Sequence, residues 1–248
     1  MPRLEGKVAY ITGAAGGIGS AICRRFLQEG ARLAATDIAE DGLAEALRDA
    51  ALGQVIQMRV DAGDGDQVKA AIARAVDTFG KLDVLCNVAG GSSTADGPVT
   101  EAPEEEFWRV IRLDLFGPFL TCKHGIPHLI AAGGGSVINM TSMTAIVGTT
   151  GRDCYTAAKG GVAALTRSMA TEFAPSKVRV NAIAPGMTMT PRVAARRDRP
   201  EIQEILSRHL LGAAEPVDVA EMAVYLASDE SRIVTGQVMR VDSGVTIH

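Results

Sequence analysis

The chain has 248 residues, of which 47% are apolar and 22% charged. That composition forms a buried core and excludes a disordered or collagen-like chain. Its 25 basic and 29 acidic residues leave a net charge of −4, and aromatic residues make up only 4%. With neither a basic surface nor stacking platforms, no nucleic-acid partner is expected. No apolar run reaches the roughly 18 residues of a membrane span. The opening stretch Met1 to Val8 lacks the apolar segment of a signal peptide. A cytoplasmic protein with no membrane partner is therefore expected. Cys23, Cys86, Cys122 and Cys154 are widely spaced with no CxxC pair, so free thiols and no metal site are expected. Cys154, beside Tyr155, is read as an inert small residue, the alternative being an oxidation-sensitive thiol.

Short runs rich in Val and Ile alternate with stretches of helical period, the pattern of βαβ units around a buried parallel sheet. Strands are predicted at 7–12, 32–37, 54–60, 83–88, 136–140, 178–184 and 237–241. Helices are predicted at 17–30, 40–51, 65–79, 104–131, 152–173 and 216–227. The fold class is α/β: a single doubly wound, Rossmann-type domain over residues 1–248, with a seven-stranded, mainly parallel sheet and helices on both faces. After the sixth strand, Pro185-Gly186 opens an excursion to about Gly212. A connection that long reads as a substrate lid at about 187–212.

Glycine is over-represented, 27 residues or about 11% against a usual share of about 7%. The densest cluster, Gly13, Gly16, Gly17 and Gly19, joins the first strand to the first helix. Amides at a helix N-terminus attract phosphate, and a Cβ in the turn would hold a pyrophosphate away. The second strand ends at Asp37, 18 residues after Gly19. That is close to the roughly 20-residue offset at which a carboxylate takes the adenosine ribose hydroxyls. A carboxylate there repels a 2′-phosphate, which favours NAD over NADP; alternatively, Asp37 caps the next helix. Asp61 either bonds the adenine amino group or simply ends the third strand.

Tyr155 and Lys159 lie four apart on a predicted helix and share a face. A phenol is a poor base at neutral pH, but a neighbouring ammonium and an oxidised nicotinamide ring stabilise phenolate. Ser142 lies past the fifth strand, at the carboxyl edge where open α/β sheets bind ligands. Its hydroxyl either holds a substrate oxygen or belongs to a turn. His124 and His128 are also four apart, but Pro127 is expected to interrupt their helix and no third ligand is evident. Arg192, Arg196, Arg197 and Arg199 crowd the excursion. They form either a solvated face or a site for an anionic or strongly polar group. Arg152 and Asp153, with residues of 187–212, are expected to line the substrate pocket.

The chain resembles the short-chain dehydrogenase/reductase family over essentially its whole length. The matching stretches are Thr12-Gly13-x-x-x-Gly17-Ile18-Gly19, Asn87-Val88-Ala89-Gly90, Ser142 thirteen residues before Tyr155-x-x-x-Lys159, Asn181-x-x-x-Pro185-Gly186, and Val241-Asp242-Ser243-Gly244. The resemblance implies a catalytic group of Ser142, Tyr155, Lys159 and Asp114. Tyr155 acts as acid/base, Ser142 polarises the substrate oxygen and Lys159 lowers the Tyr155 pKa and holds the ribose. The cofactor is expected to meet Gly13, Gly17, Ile18, Gly19, Asp37 with Ile38, Asp61 with Ala62, Asn87, Ala89, Thr188 and Thr190. Ser142 and Tyr155 are the expected substrate contacts. The family Asn is replaced by Asp114, which keeps the backbone carbonyl used in a proton relay but adds a carboxylate near Lys159. Val88 replaces a second common Asn. The implied protein is an NAD-dependent oxidoreductase interconverting a small-molecule alcohol and carbonyl, assembled as a homotetramer. Two alternatives are an NADP-dependent 3-oxoacyl carrier-protein reductase, disfavoured by Asp37 and the shortage of lysines, and a non-catalytic dinucleotide-binding module.

Overall fold

Residues 2–247 are described by a computed structural model. Seven parallel strands form one sheet in the order β3-β2-β1-β4-β5-β6-β7. They are β1 (Val8–Thr12), β2 (Arg32–Asp37), β3 (Val55–Arg59), β4 (Val84–Asn87), β5 (Gly135–Met140), β6 (Val178–Pro185) and β7 (Val238–Val241). Strand positions alternate between faces even where every residue is apolar. In β1, Ala9 and Ile11 pack on one side and Val8 and Tyr10 on the other. The first core is closed by α1 (Gly17–Gln28), α2 (Glu40–Ala46) and α9 (Pro216–Ala227), the second by α3 (Gly65–Phe79), α5 (Gly117–Ala131) and α6 (Asp153–Phe173). Burial on both faces is why these strands read as continuous apolar runs.

Chain direction from β1 splits here. β2 and β3 lie to one side and β4 to β7 to the other, so the loops leaving β1 and β4 diverge and open a crevice at the carboxyl edge. The glycine turn, Ser142 and the segment after β6 all lie along that edge. Two helix predictions need correction. The span 104–131 is a continuous rod with an interior fault: α4 (Glu104–Val110), a π-helical segment (Ile111–Phe116), then α5. Pro127 does not interrupt it, because α5 runs through to Ala131. The excursion after β6 holds two helices, α7 (Pro191–Ala194) and α8 (Pro200–Ser207). Among the described residues, no helix is long and apolar enough to cross a membrane, and no cluster of potential metal ligands occurs.

Candidate active site

The turn after β1 is built by exclusion of side chains. Gly13 has φ +68°, and a Cβ on it would lie 2.7 Å from the Ala89 backbone; a Cβ on Gly19 would overlap the Gly13 carbonyl. The turn can therefore press against the end of β4 while α1 starts immediately behind it. α1 has no side-chain cap and no acidic residue in its first turn. Its leading amides are consequently open to the crevice, with nothing anionic to compete for them. Asp37 faces the same space from the end of β2. One carboxylate oxygen accepts the Ala15 N–H at 3.0 Å and the other accepts Ala39 N–H at 3.0 Å. Asp37 does not cap α2, whose N-cap is Ala39 without a side-chain cap bond; its carboxylate bridges the glycine turn and the residue before α2 and lines the crevice. Asp61 also does two things: it closes a turn through Gly63 N–H at 2.8 Å and pairs with Arg112 at 2.7 Å.

These surfaces continue into one cleft of about 1300 Å³, lined by Gly13, Gly17, Ile18, Gly19, Asp37, Ile38, Asp61, Ala62, Ala89, Ser142, Tyr155, Lys159, Thr188 and Thr190. A single-ligand pocket holds roughly 300–1,000 Å³, so this one has room for a dinucleotide and a second molecule. The uncapped α1 amides and the glycine-rich turn fit a dinucleotide pyrophosphate, and Asp37 lines the same cleft. Asn87 is the exception. Its side chain turns under the sheet, donating to Asn139 Oδ1 at 2.8 Å, and Asn139 donates on to Thr166 Oγ1 at 2.9 Å. Asn87 thus ties β4 to β5 and α6 and does not line the cleft. Asp153 is likewise absent from the lining, because its carboxylate accepts the Val99 N–H at 2.8 Å.

The chemistry-bearing group lies where β5 ends. Ser142 lies two residues past the end of the strand, is only 8% exposed, and accepts the Thr144 N–H at 3.2 Å, so it is both turn residue and cleft wall. Tyr155 and Lys159 project from the first turns of α6, with the Lys159 Nζ 5.5 Å from the Tyr155 ring centre. The start of α6 is fixed by Asp96, whose carboxylate accepts N–H groups of Cys154 at 3.1 Å and Tyr155 at 2.9 Å. A residue nearly sixty positions away therefore supplies the cap that α6 does not carry itself. Lys159 is buried and donates to the Met140 carbonyl at 2.9 Å, while Thr141 Oγ1 donates to the Lys159 carbonyl at 2.8 Å. Both bonds pin α6 to β5.

Asp114 does more than keep a carbonyl. The π-helical segment is a register shift of the kind common at functional sites, and it turns Asp114 fully inward, 0% exposed. Its Oδ1 lies 3.0 Å from Lys159 Nζ and accepts the Gly91 N–H at 2.8 Å. Its Oδ2 is buried without a partner among the described residues. Gly90 lacks the Cβ that would overlap this carboxylate. Burial works to lower the Lys159 pKa, but Asp114 and then Tyr155 outweigh it, and the ammonium is held above its usual range. The cysteines are all free and buried. Burial, with Asp96 nearby, pushes the Cys154 thiol up, and burial raises Cys23 and Cys122 to about 12. Thiolate chemistry is suppressed throughout.

Over the cleft, the excursion is fastened by a residue that periodicity did not single out. His209 is buried, accepts the Met187 N–H on Nε2 at 3.0 Å, and has Nδ1 2.9 Å from the Ile205 carbonyl. A Cβ on Gly17 would lie 2.8 Å from the Thr190 side chain, so the excursion also touches the glycine turn. The four arginines divide: Arg192 and Arg196 line the cleft, whereas Arg197 and Arg199 are exposed away from it.

A crevice at the switch point of a parallel sheet, with a glycine-rich phosphate cradle leading to a serine, a tyrosine and a buried lysine, is the architecture of a dinucleotide-dependent oxidoreductase. The family model described as enoyl-(acyl carrier protein) reductase matches residues 13–246. The chain is 39% identical to a 3-oxoacyl-[acyl-carrier-protein] reductase of Thermotoga maritima over 99% of this chain and 100% of that protein. It is 38% identical to the 2-(R)-hydroxypropyl-CoM dehydrogenase of Xanthobacter autotrophicus, covering 97% and 98% of the two chains. It is 41% identical to the cis-4-hydroxycyclohexanecarboxylate dehydrogenase of Sinomonas cyclohexanicum, covering 97% and 96%. The chain belongs to the short-chain dehydrogenase/reductase family and is an oxidoreductase acting on CH–OH or carbonyl groups.

Proposed function

We propose that the protein is an NAD-dependent dehydrogenase that interconverts a small alcohol and its carbonyl, with Tyr155 as general acid/base. The observation that carries this reading is the placement of Ser142, Tyr155 and Lys159 on the wall of the cleft that begins at the glycine turn. The nicotinamide ring, when bound, supplies the hydride acceptor or donor. Ser142 Oγ donates a hydrogen bond to the substrate oxygen and holds it beside the Tyr155 hydroxyl. Tyr155 takes the proton of the alcohol in oxidation and returns it in reduction. Lys159, fixed on Met140 and Asp114, keeps a positive charge beneath the phenol ring and has a remaining N–H for a ribose hydroxyl. Thr188, Thr190 and the 187–212 segment form a lid that shields the reacting atoms from water.

Dehydrogenases of hydroxyl-bearing compounds among the relatives support the alcohol-to-carbonyl reading. The Thermotoga relative favours a second reading, an NADP-dependent 3-oxoacyl carrier-protein reductase. Asp37 separates them, because a 2′-phosphate would meet a carboxylate already aimed into the cleft. We expect NAD to exceed NADP in kcat/KM by at least about tenfold on a panel of alcohols, sugars and aldehydes followed by nicotinamide absorbance. Removing a repulsion of about 1.4 kcal/mol corresponds to a factor of ten, so Asp37→Ser should narrow the ratio by about that much. Equal or better use of NADP by the wild type would reject the NAD assignment.

A further inference from the structure

The cleft carries more positive charge than a dinucleotide site and an acid/base pair require, and the surplus is at the substrate end. Of the arginines that line it, Arg109 is spent on Glu106 at 2.7 Å, Arg112 on Asp61 at 2.7 Å and Arg208 on Glu204 at 2.5 Å. The cleft carboxylates are similarly occupied or remote. Glu204 belongs to Arg208, Glu201 lies 3.9 Å from Arg199, and Asp37 is at the end of β2. Arg152, Arg192 and Arg196 line the same cleft and have no carboxylate partner among the described residues.

Two of these three converge. Arg152 precedes α6 and donates to Ser92 Oγ at 2.5 Å, while Arg192, on α7, donates to the Ser92 carbonyl at 3.3 Å. Room for the second guanidinium comes from Gly91, where a Cβ would lie 2.7 Å from an Arg192 terminal nitrogen. Two like charges are thus brought to one neutral residue, Arg152 from the start of α6 and Arg192 from the excursion. Each guanidinium has five N–H donors, and each uses one here. Such an arrangement repels itself until an anion lies between the two, and guanidinium forks match the oxygens of carboxylate or sulfonate groups.

We propose that the substrate carries a compact anionic end, a carboxylate or sulfonate joined to the carbinol carbon by a short chain, held by Arg152 and Arg192 with Arg196 adjoining. This rests on the alcohol/carbonyl reading above and names the substrate class for it. Arg152 is three residues before Tyr155 and both line the same cleft, so the anion is expected to be joined to the reacting carbon by a short chain. An anion drawing on both arginines also links substrate arrival to closure of the excursion.

The test uses matched hydroxycarboxylic acids and their methyl esters, from 3-hydroxybutyrate to 6-hydroxyheptanoate, assayed with NAD. Thermal melting of the NADH-saturated protein with 1-propanesulfonate or 1-propanol runs alongside. The wild type should prefer the acids over the esters by at least tenfold in kcat/KM, and 1-propanesulfonate alone should raise Tm. Arg152→Met and Arg192→Met should each reduce that preference at least tenfold, chiefly through KM for the acid, and abolish the sulfonate shift. Esters turned over as well as acids would leave the hydride-transfer reading intact and overturn the anion site. If no compound is turned over, the alcohol/carbonyl reading fails for this panel. The melting arm still decides the anion site, since a sulfonate shift unchanged in both variants, or absent in the wild type, overturns it. A tenfold or greater loss of NADH affinity in the variants would assign these guanidiniums to the dinucleotide and also overturn it.

Discussion

Tyr155→Phe is expected to abolish most turnover while leaving the dinucleotide bound. The phenolic oxygen makes no hydrogen bond within the described chain, and the backbone at this position is held by Asp96. Phenylalanine keeps the ring and strands no buried polar partner, so folding should be unaffected. What disappears is the proton donor and acceptor, a contribution typically of about 10²–10⁴ in rate. Stopped assays of kcat should therefore fall by at least about a hundredfold, with NADH affinity by fluorescence titration changing by less than about threefold. Undiminished turnover would remove Tyr155 from the chemistry and leave the cleft without an acid/base group of suitable placement.

The second large effect is expected at Asp114. Lys159 and Asp114 are buried together, and removing one partner of a buried pair costs about 3–5 kcal/mol because the other charge is left uncompensated. Asp114→Ala should lose stability of that order in denaturant titrations. Asp114→Asn should lose much less, since an amide oxygen can still accept from Gly91 and Lys159. The sign of the pH dependence follows from Lys159, whose folded pKa is raised with Asp114 opposing the effect of burial. Its contribution is fully present below the ordinary lysine pKa and is lost only as pH rises through the raised value. The difference in Tm between wild type and Asp114→Ala should therefore stay constant between about pH 7 and pH 9. Catalysis should respond differently. Asp114 partly neutralises the charge beneath Tyr155, so Asp114→Asn should move the rising limb of the pH–rate profile to lower pH. An unmoved limb would show that Asp114 only positions Lys159.

The sheet, its helices and the glycine turn were legible in the sequence because each depends on local pattern. Apolar runs such as Val8 to Ile11 and the glycine spacing follow from backbone requirements within a few residues. Ser142, Tyr155 and Lys159 were singled out by their spacing together with the family resemblance, and the three line one cleft. What escaped depends on distant chain segments. A π-helical shift leaves no mark on helical periodicity over 104–131, so the expectation of an Asp114 carboxylate near Lys159 came from the resemblance and not from the helical pattern. Asp96 capping α6, His209 fastening the excursion and Asn87 serving the sheet interior all depend on partners far away in sequence. The division of the arginines into Arg192 and Arg196 inside and Arg197 and Arg199 outside required the short helices that carry them.

Transfer of deuterium is the most direct measurement of the central claim. An alcohol accepted in the panel is prepared with deuterium on its carbinol carbon and oxidised with NAD, and the reduced dinucleotide is recovered for mass spectrometry. One deuterium per turnover should appear on the nicotinamide ring, with none released to water. Deuterium in the solvent, or retained in the product with no label on the dinucleotide, would contradict hydride transfer at this site.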